Sequence, residues 1–274
     1  MSVNDIPHSS AEQNHAIRHW SPADAWYKPA VCALVVQLSR WTMRGLNRLN
    51  FEGRERWDAA FAAPDTGVLS FSNHVSLFDD PLLISNLGQT RYSQVRWIPA
   101  DHLNFFGSRL KGLLFSCGKC VPIIRGGGLE QPGFTFLLER LRAGEWVHIF
   151  PEGGRTREPG ARLRRPFKTG IGRLLVEAQP IAMPFYHRGM HELLPIGSRL
   201  PRSGKQVDVL FGDATRIDDE WLSQIAPDSQ PAAGRWQKAT HWAEETLVNL
   251  EGRLLAREGH RERVTEEQGT PSTR

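Results

Sequence analysis

His74 and Asp79 stand five positions apart in Ser72-Asn73-His74-Val75-Ser76-Leu77-Phe78-Asp79-Asp80-Pro81. An imidazole titrates near neutrality and can take a proton from a hydroxyl. A carboxylate on its other ring nitrogen fixes the tautomer and steadies the imidazolium as it forms. If the chain folds back between the two residues, they make the base and its orienter. No serine or cysteine nucleophile stands out beside them, so the activated hydroxyl would belong to a substrate. By itself the pair reads equally as an exposed loop contact or a helix cap, with Ser76 as the N-cap of a helix over 76–83.

Three further strand ends carry polar groups of related chemistry. The apolar run Val121–Ile124 ends in Arg125-Gly126-Gly127-Gly128. Glycines let a backbone approach a ligand closely, and arginine offers phosphate two donors. The run Trp146–Phe150 ends in Pro151-Glu152-Gly153-Gly154-Arg155-Thr156-Arg157, where Glu152 can orient a neighbouring arginine or bind a substrate hydroxyl. Gly153 and Gly154 can turn backbone N–H groups towards an anion. From 153 to 168 six basic residues (Arg155, Arg157, Arg162, Arg164, Arg165, Lys168) face one acid, Glu158, a local charge of +5. The choice there is between an anionic headgroup site and a solvated basic loop. The run Ile181–Tyr186 contains Pro184, which suggests an edge, a bulge or a strand end, and leads to His187, a second possible base.

These sites sit at the ends of apolar runs that alternate with helical patterns. Strands are expected at 68–71, 95–99, 120–124, 146–150, 181–186 and 207–211, with helices near 81–87, 105–117, 134–142 and 170–178. A last amphipathic helix is expected from about 236 to 256. The pattern predicts an α/β fold, a mixed central sheet flanked by helices. Ahead of it, residues 26–50 read as an amphipathic helix, with Val31, Leu34, Leu38 and Trp41 on an apolar surface and Arg40, Arg44 and Arg48 in one basic stripe. Long cations beside apolar and Trp residues suit a membrane interface, although a surface helix packed on the core gives the same pattern. The organisation expected is a flexible 1–25, an interfacial helix 26–50, an α/β domain 51–256 and a disordered 257–274.

The 274 residues suit one domain with appendages, and the net charge of +4 suits anionic partners without choosing among them. Three cysteines make no disulfide framework, and Cys117-x-x-Cys120 lacks the second pair of a structural zinc site. No metal site is therefore expected. The first residues do not read as a signal peptide, and no apolar run is long enough to span a bilayer. A zinc pattern or an interleaved aromatic–basic motif is missing, so nucleic-acid binding is not expected.

Taken in order, the four sites resemble the glycerophospholipid acyltransferases that act on 1-acylglycerol-3-phosphate and related lysolipids, most closely the tafazzin branch. The carrying segments are 74–81, 118–122, 144–153, 170–174 and 187–190. The likeness spans about residues 65 to 213. It implies that His74 is the general base and Asp79 its partner. It implies that Arg125 contacts phosphate, that Glu152, Gly153 and Arg155 bind substrate with Gly154 and Arg157 beside them, and that Pro184 belongs to the fourth motif. Gly154 departs from the family by replacing a small hydroxyl residue. The run Gly154-Arg155-Thr156-Arg157 looks more like the general family than like tafazzins.

The activity implied is acyl transfer to the hydroxyl of a lysophospholipid, with acyl-CoA as donor substrate and no bound cofactor. The first alternative is a CoA-independent transacylase that takes its acyl chain from a phospholipid. An alternative of another class is a catalytically inactive protein that binds membranes. The partners implied are a lysophospholipid, acyl-CoA or phospholipid, and a membrane surface. The location implied is peripheral or monotopic, on the cytoplasmic face of the membrane if the source is bacterial.

Overall fold

The computed structural model describes residues 22, 25–63, 65–88, 91–106, 108–198 and 200–269. Its first elements are helix α1 (Lys28–Arg40), continued by a π-helical turn Trp41–Gly45, then strand β1 (Arg48–Glu52), α2 (Arg54–Ala62) and β2 (Val68–Phe71). A helical stretch α3 follows, π-helical over Asp79–Ile84 and regular over Ser85–Leu87. Then come β3 (Ile98–Asp101), α4 (His102–Phe105), α5 (Arg109–Cys117), β4 (Cys120–Ile123), α6 (Pro132–Arg142) and β5 (Trp146–Ile149). The chain closes with α7 (Gly170–Ala178), β6 (Ile181–Arg188), α8 (Met190–Leu193), β7 (Gln206–Phe211), β8 (Thr215–Arg216), α9 (Asp219–Ile225) and α10 (Ala232–Gly269).

The strands run in the order β1-β7-β6-β2-β5, with β8 also on β6. Only the β6 pairings with β7 and β8 are antiparallel, so the sheet is mixed as expected. A parallel β3–β4 pair continues it through a bridge between Trp97 and Val147. Alternate residues of each strand face opposite sides. Leu69, Val147 and Ala182 pack with α6, α7 and α10, whereas Val68, Trp146 and Ile181 pack with α2 and α3. The result is a sheet between two helical layers, whose strands β2, β5 and β6 are buried on both faces and so read as largely apolar runs. The α7–α10 crossing is tight enough to need Gly172, since a Cβ there would lie 1.9 Å from the Trp236 carbonyl oxygen.

Five expectations change. The helix read over 26–50 ends by Gly45, and Arg48–Glu52 is a strand paired with β7. Five residues of alternating exposure, too few to override a helical pattern on paper, are set by their partner strand. The basic stripe therefore loses Arg48 to the sheet. The tail read as disordered from 257 continues α10 as far as Gly269, and residues 270–274 lie outside the described residues. So does the expected flexible N-terminus, apart from residues 22 and 25. The third strand starts at Ile98 rather than Val95, and the helix read over 105–117 is two helices, α4 and α5.

Pro184 is the fifth change, because it lies buried in β6, inside the sheet rather than at an edge. Its missing N–H costs no ladder bond, since the antiparallel partner changes there. Ile181 and Ala182 pair with β8, and Phe185 onward pairs with β7. Its carbonyl accepts the Gly212 N–H at 2.9 Å.

Candidate active site

The parallel strands β2, β5 and β6 are held in one register, with Phe71 opposite both Ile149 and Pro184. Three residues past that row stand His74, Glu152 and His187. The site thus forms at the carboxyl ends of the strands, where open α/β sheets carry their ligand crevices.

His74 Nδ1 lies 2.9 Å from Asp79 Oδ2. That oxygen also accepts the Val75 and Ser76 N–H groups at 2.7 and 2.9 Å. Three bonds to one oxygen fold the chain back over five residues. The Ser76 hydroxyl is not the cap of α3, whose N-cap position is Phe78 with no side-chain cap bond. It donates to the Leu194 carbonyl instead, and the Ser72 hydroxyl donates to the Asn73 carbonyl. Burial would raise the Asp79 carboxyl. The neighbouring His187, the His74 hydrogen bond and the Ser76 N–H outweigh it and hold the carboxyl below its ordinary value. An ionised Asp79 accepts the His74 Nδ1–H, which leaves Nε2 as the acceptor. The His74 side chain is 17% exposed. Its ring lies flat on Phe150, with centroids 4.1 Å apart.

Glu152 does not orient an arginine side chain. It is buried, and its two oxygens accept the backbone N–H groups of His74 at 2.6 Å and Arg164 at 2.8 Å. The Thr156 N–H donates to the His74 carbonyl at 2.7 Å. One loop therefore grips the His74 residue at both of its peptide groups. Burial pushes the Glu152 carboxyl up to about 7, against the Arg164 and His74 N–H groups that pull it down.

A carboxyl raised by folding makes stability fall as pH climbs from the ordinary value of about 4.5 to the folded one near 7, because the unfolded chain ionises first. Glu152→Gln removes this contribution and leaves the others. The stability of the Gln variant relative to wild type should therefore rise between pH 5 and 7.5, as read by paired thermal unfolding. A difference that stays flat with pH would contradict it.

The basic cluster lies beside this loop. Arg125 Nε ion-pairs with Asp101 at 3.1 Å. A Cβ at Gly154 would meet Arg164 Nη2 at 3.4 Å and Arg125 Nη2 at 3.7 Å, so Gly154 keeps open the space between two guanidinium groups. Gly153 has φ +69°, a left-handed conformation suited to glycine, and a Cβ there would meet the Lys168 stem at 2.9 Å. The +5 stretch divides in two. Arg162 binds Glu251, Arg165 binds Glu244 and Glu245, and Arg164 donates to the Glu152 and Gly154 carbonyls. These three hold the loop on α10 and on itself. Arg155 and Arg157 make no hydrogen bond or ion pair among the described residues. The reading of a solvated loop fails for half the stretch, because those cations are structural.

Other expected groups fall elsewhere. Pro184 sits in the sheet. His187 is fully buried and cannot reach a substrate hydroxyl. Cys117 and Cys120 are buried thiols, and burial pushes Cys120 up to about 12. A second Ser–His pair, Ser70 with His148 at 2.8 Å, is wholly buried. Trp146 donates to that serine, and the buried group of three is structural. Among the described residues one grouping has metal-type ligands, His241, Glu244 and Glu245, and Arg165 pairs with both of its glutamates.

Sequence reading gave no role to Phe150, Asn73 and Asp101, and counted Arg164 among the anion-facing cations. Phe150 was visible as the last apolar residue before Pro151-Glu152, but nothing local says that it supports a ring three strands' worth of chain away.

The family model described as Acyltransferase matches residues 48–188, just over half of the chain. Tafazzin of Drosophila melanogaster is 32% identical over 73% of this chain and 54% of its own length. The N-acylphosphatidylethanolamine synthase of Arabidopsis thaliana is 32% identical over 60% of this chain and 61% of its own. The chain thus spans between half and two thirds of these curated relatives. The crystal structure of the 1-acyl-sn-glycerophosphate acyltransferase of Thermotoga maritima superposes with a TM-score of 0.52 at 16% identity, covering 81% of this chain and 79% of that one, and shows a shared fold.

Proposed function

The chain belongs to the acyltransferase family, on its tafazzin-like side, and from that premise we propose that it moves a fatty acyl chain to the hydroxyl of a lysophospholipid. The observation that carries the reading is the His74–Asp79 bond with no protein nucleophile beside it. His74 Nε2 takes the proton of the acceptor hydroxyl as the oxygen attacks the donor carbonyl. Asp79 holds the ring and balances the imidazolium. The same proton then goes to the leaving group, a thiolate or a lipid alkoxide. Arg125, Arg155 and Lys168 around the two glycines hold the acceptor phosphate. No acyl-enzyme forms, and the pair works without a bound cofactor.

An apolar cavity of about 260 Å³ suits the acyl chain. It lies between α1, α3 and α5 and is lined by Val31, Val35, Phe78, Ile84, Leu114 and Phe115. Phe78 precedes Asp79, so the cavity runs beside the helix that carries the orienting carboxylate. The outer surfaces of α1 and α5 present Leu34, Leu38, Trp41, Leu110 and Leu114, all at least half exposed. Residues 28–51 and 102–129 contain no Asp or Glu. Apolar side chains among cations alone fit an anionic lipid surface, and we assign the chain a peripheral seat there. No described helix is long and apolar enough to cross a membrane.

The likeness to tafazzins favours a phospholipid over acyl-CoA as donor. The test presents purified protein in liposomes with labelled lysophospholipids, once with acyl-CoA and once with intact phospholipid alone. Transfer from phospholipid alone is expected. A strict need for acyl-CoA would make this a biosynthetic enzyme, and silence with every donor and headgroup would leave the inactive membrane binder.

A further inference from the structure

His187 is wholly buried, three residues past the row that also sets His74 and Glu152, and the transfer reaction described above does not use it. Its surroundings are specific. The Asn73 side chain donates to the His187 carbonyl at 2.9 Å and accepts the His187 N–H at 3.0 Å. The ring returns the contact, with Nε2 3.1 Å from the Asn73 carbonyl oxygen. A carbonyl only accepts, so Nε2 carries the proton. The same nitrogen lies 3.9 Å from Asp79 Oδ2, the oxygen that holds His74. Nδ1 has no hydrogen-bond partner among the described residues. A buried imidazolium would leave a second N–H unpaired there, so the ring is neutral.

We propose that His187 is a positioning residue for the His74–Asp79 pair: its Nε2–H fixes the Asn73 carbonyl, and so the peptide that carries His74, while turning the same N–H edge towards the Asp79 carboxylate. Packing alone would ask for no donor at this nitrogen. The bond closes a ring from β6 through Asn73 to His74, whose N–H is held on the far side by Glu152. The inference rests on His74 acting as the base.

Three substitutions separate the donor from the volume. His187→Met fills similar space with no donor. His187→Gln places an amide N–H about where Nε2 stands, and His187→Asn places one near Nδ1. The charged or titratable groups that face His187 are Asp79, His74, His191 and His148, and all stay in place. The Met variant should lose kcat by about tenfold or more, as expected when a reacting group is misplaced by a fraction of an ångström. Its KM for the lysophospholipid should stay within about twofold. The acid limb of kcat/KM should move to higher pH, because a carboxylate without the extra dipole holds the His74 proton more firmly. The Gln variant should recover both, and the Asn variant should not.

The Nδ1–H resonance of His74, read by NMR without turnover, should shift in the Met variant and return in the Gln variant. Unchanged kcat and acid limb in the Met variant would overturn the proposal. So would Gln behaving no better than Asn, a comparison that still decides if the Met variant fails to fold. A fully active His74→Ala protein would instead remove the base assignment itself, and an unmoved His74 resonance in a protein that needs His74 would remove only the role of His187.

Discussion

His74→Ala should leave a folded protein with acyl transfer reduced about 10³-fold in kcat, within the range that general-base catalysis supplies. The fold survives because His74 is a strand-end residue whose ring covers Phe150 at the surface of the site. Its backbone bonds to Glu152 and Thr156 do not involve the side chain. Asp79 keeps the Val75 and Ser76 N–H groups, so the tight loop persists without the imidazole. Single-turnover transfer from labelled donor to lysophospholipid measures the loss, and thermal unfolding confirms the fold. Transfer within tenfold of wild type would show that another group removes the proton.

Asp79→Asn is expected to cost about 10²- to 10³-fold in kcat, with a stability loss of about 1–3 kcal/mol from its buried NH₂. The asparagine oxygen can occupy the Oδ2 position and keep all three donors. Its NH₂ then falls where Oδ1 stands buried, with no hydrogen-bond partner among the described residues. The tautomer of His74 is retained and only the charge that steadies the imidazolium is lost. This differs from the serine-protease case among the known triads, where the Asn variant inverts the hydrogen bond and costs about 10⁴-fold. Asp79→Ala should be worse for folding, since it leaves two buried N–H groups unpaired at about 1–3 kcal/mol each. The wild-type contribution of this carboxyl, held below its ordinary value, is present above about pH 4 and is lost as pH falls through the folded value. A kcat for Asp79→Asn within a few-fold of wild type would reduce Asp79 to a loop clasp.

The strands that carry the site were legible because each is buried on both faces and therefore reads as an unbroken apolar run ending in glycine or charge. His74, Asp79, Arg125 and Glu152 could be picked out by type and spacing. What each one does needed the register. Glu152 looked like an arginine partner, yet it spends both oxygens on backbone N–H groups brought from 78 and 12 residues away. Arg162 and Arg165 looked like anion ligands, but their acids lie on α10, about eighty residues onward. Arg48 looked helical because its strand partner, Gln206, is more remote still. Local pattern fixes which groups are polar at the strand ends, and long-range pairing decides which of them remain for substrate.

The common row of β2, β5 and β6 makes the sheet the ruler of the site. Neighbouring strands stand about 4.8 Å apart, so the row sets where the three chains pass the site. His74, Glu152 and His187 thus start from positions set by the hydrogen-bond ladder, and the bonds from Glu152 and Thr156 to the His74 peptides complete the placement. A slip of one residue in β2 would turn His74 to the opposite face and disarm the site without touching a polar side chain.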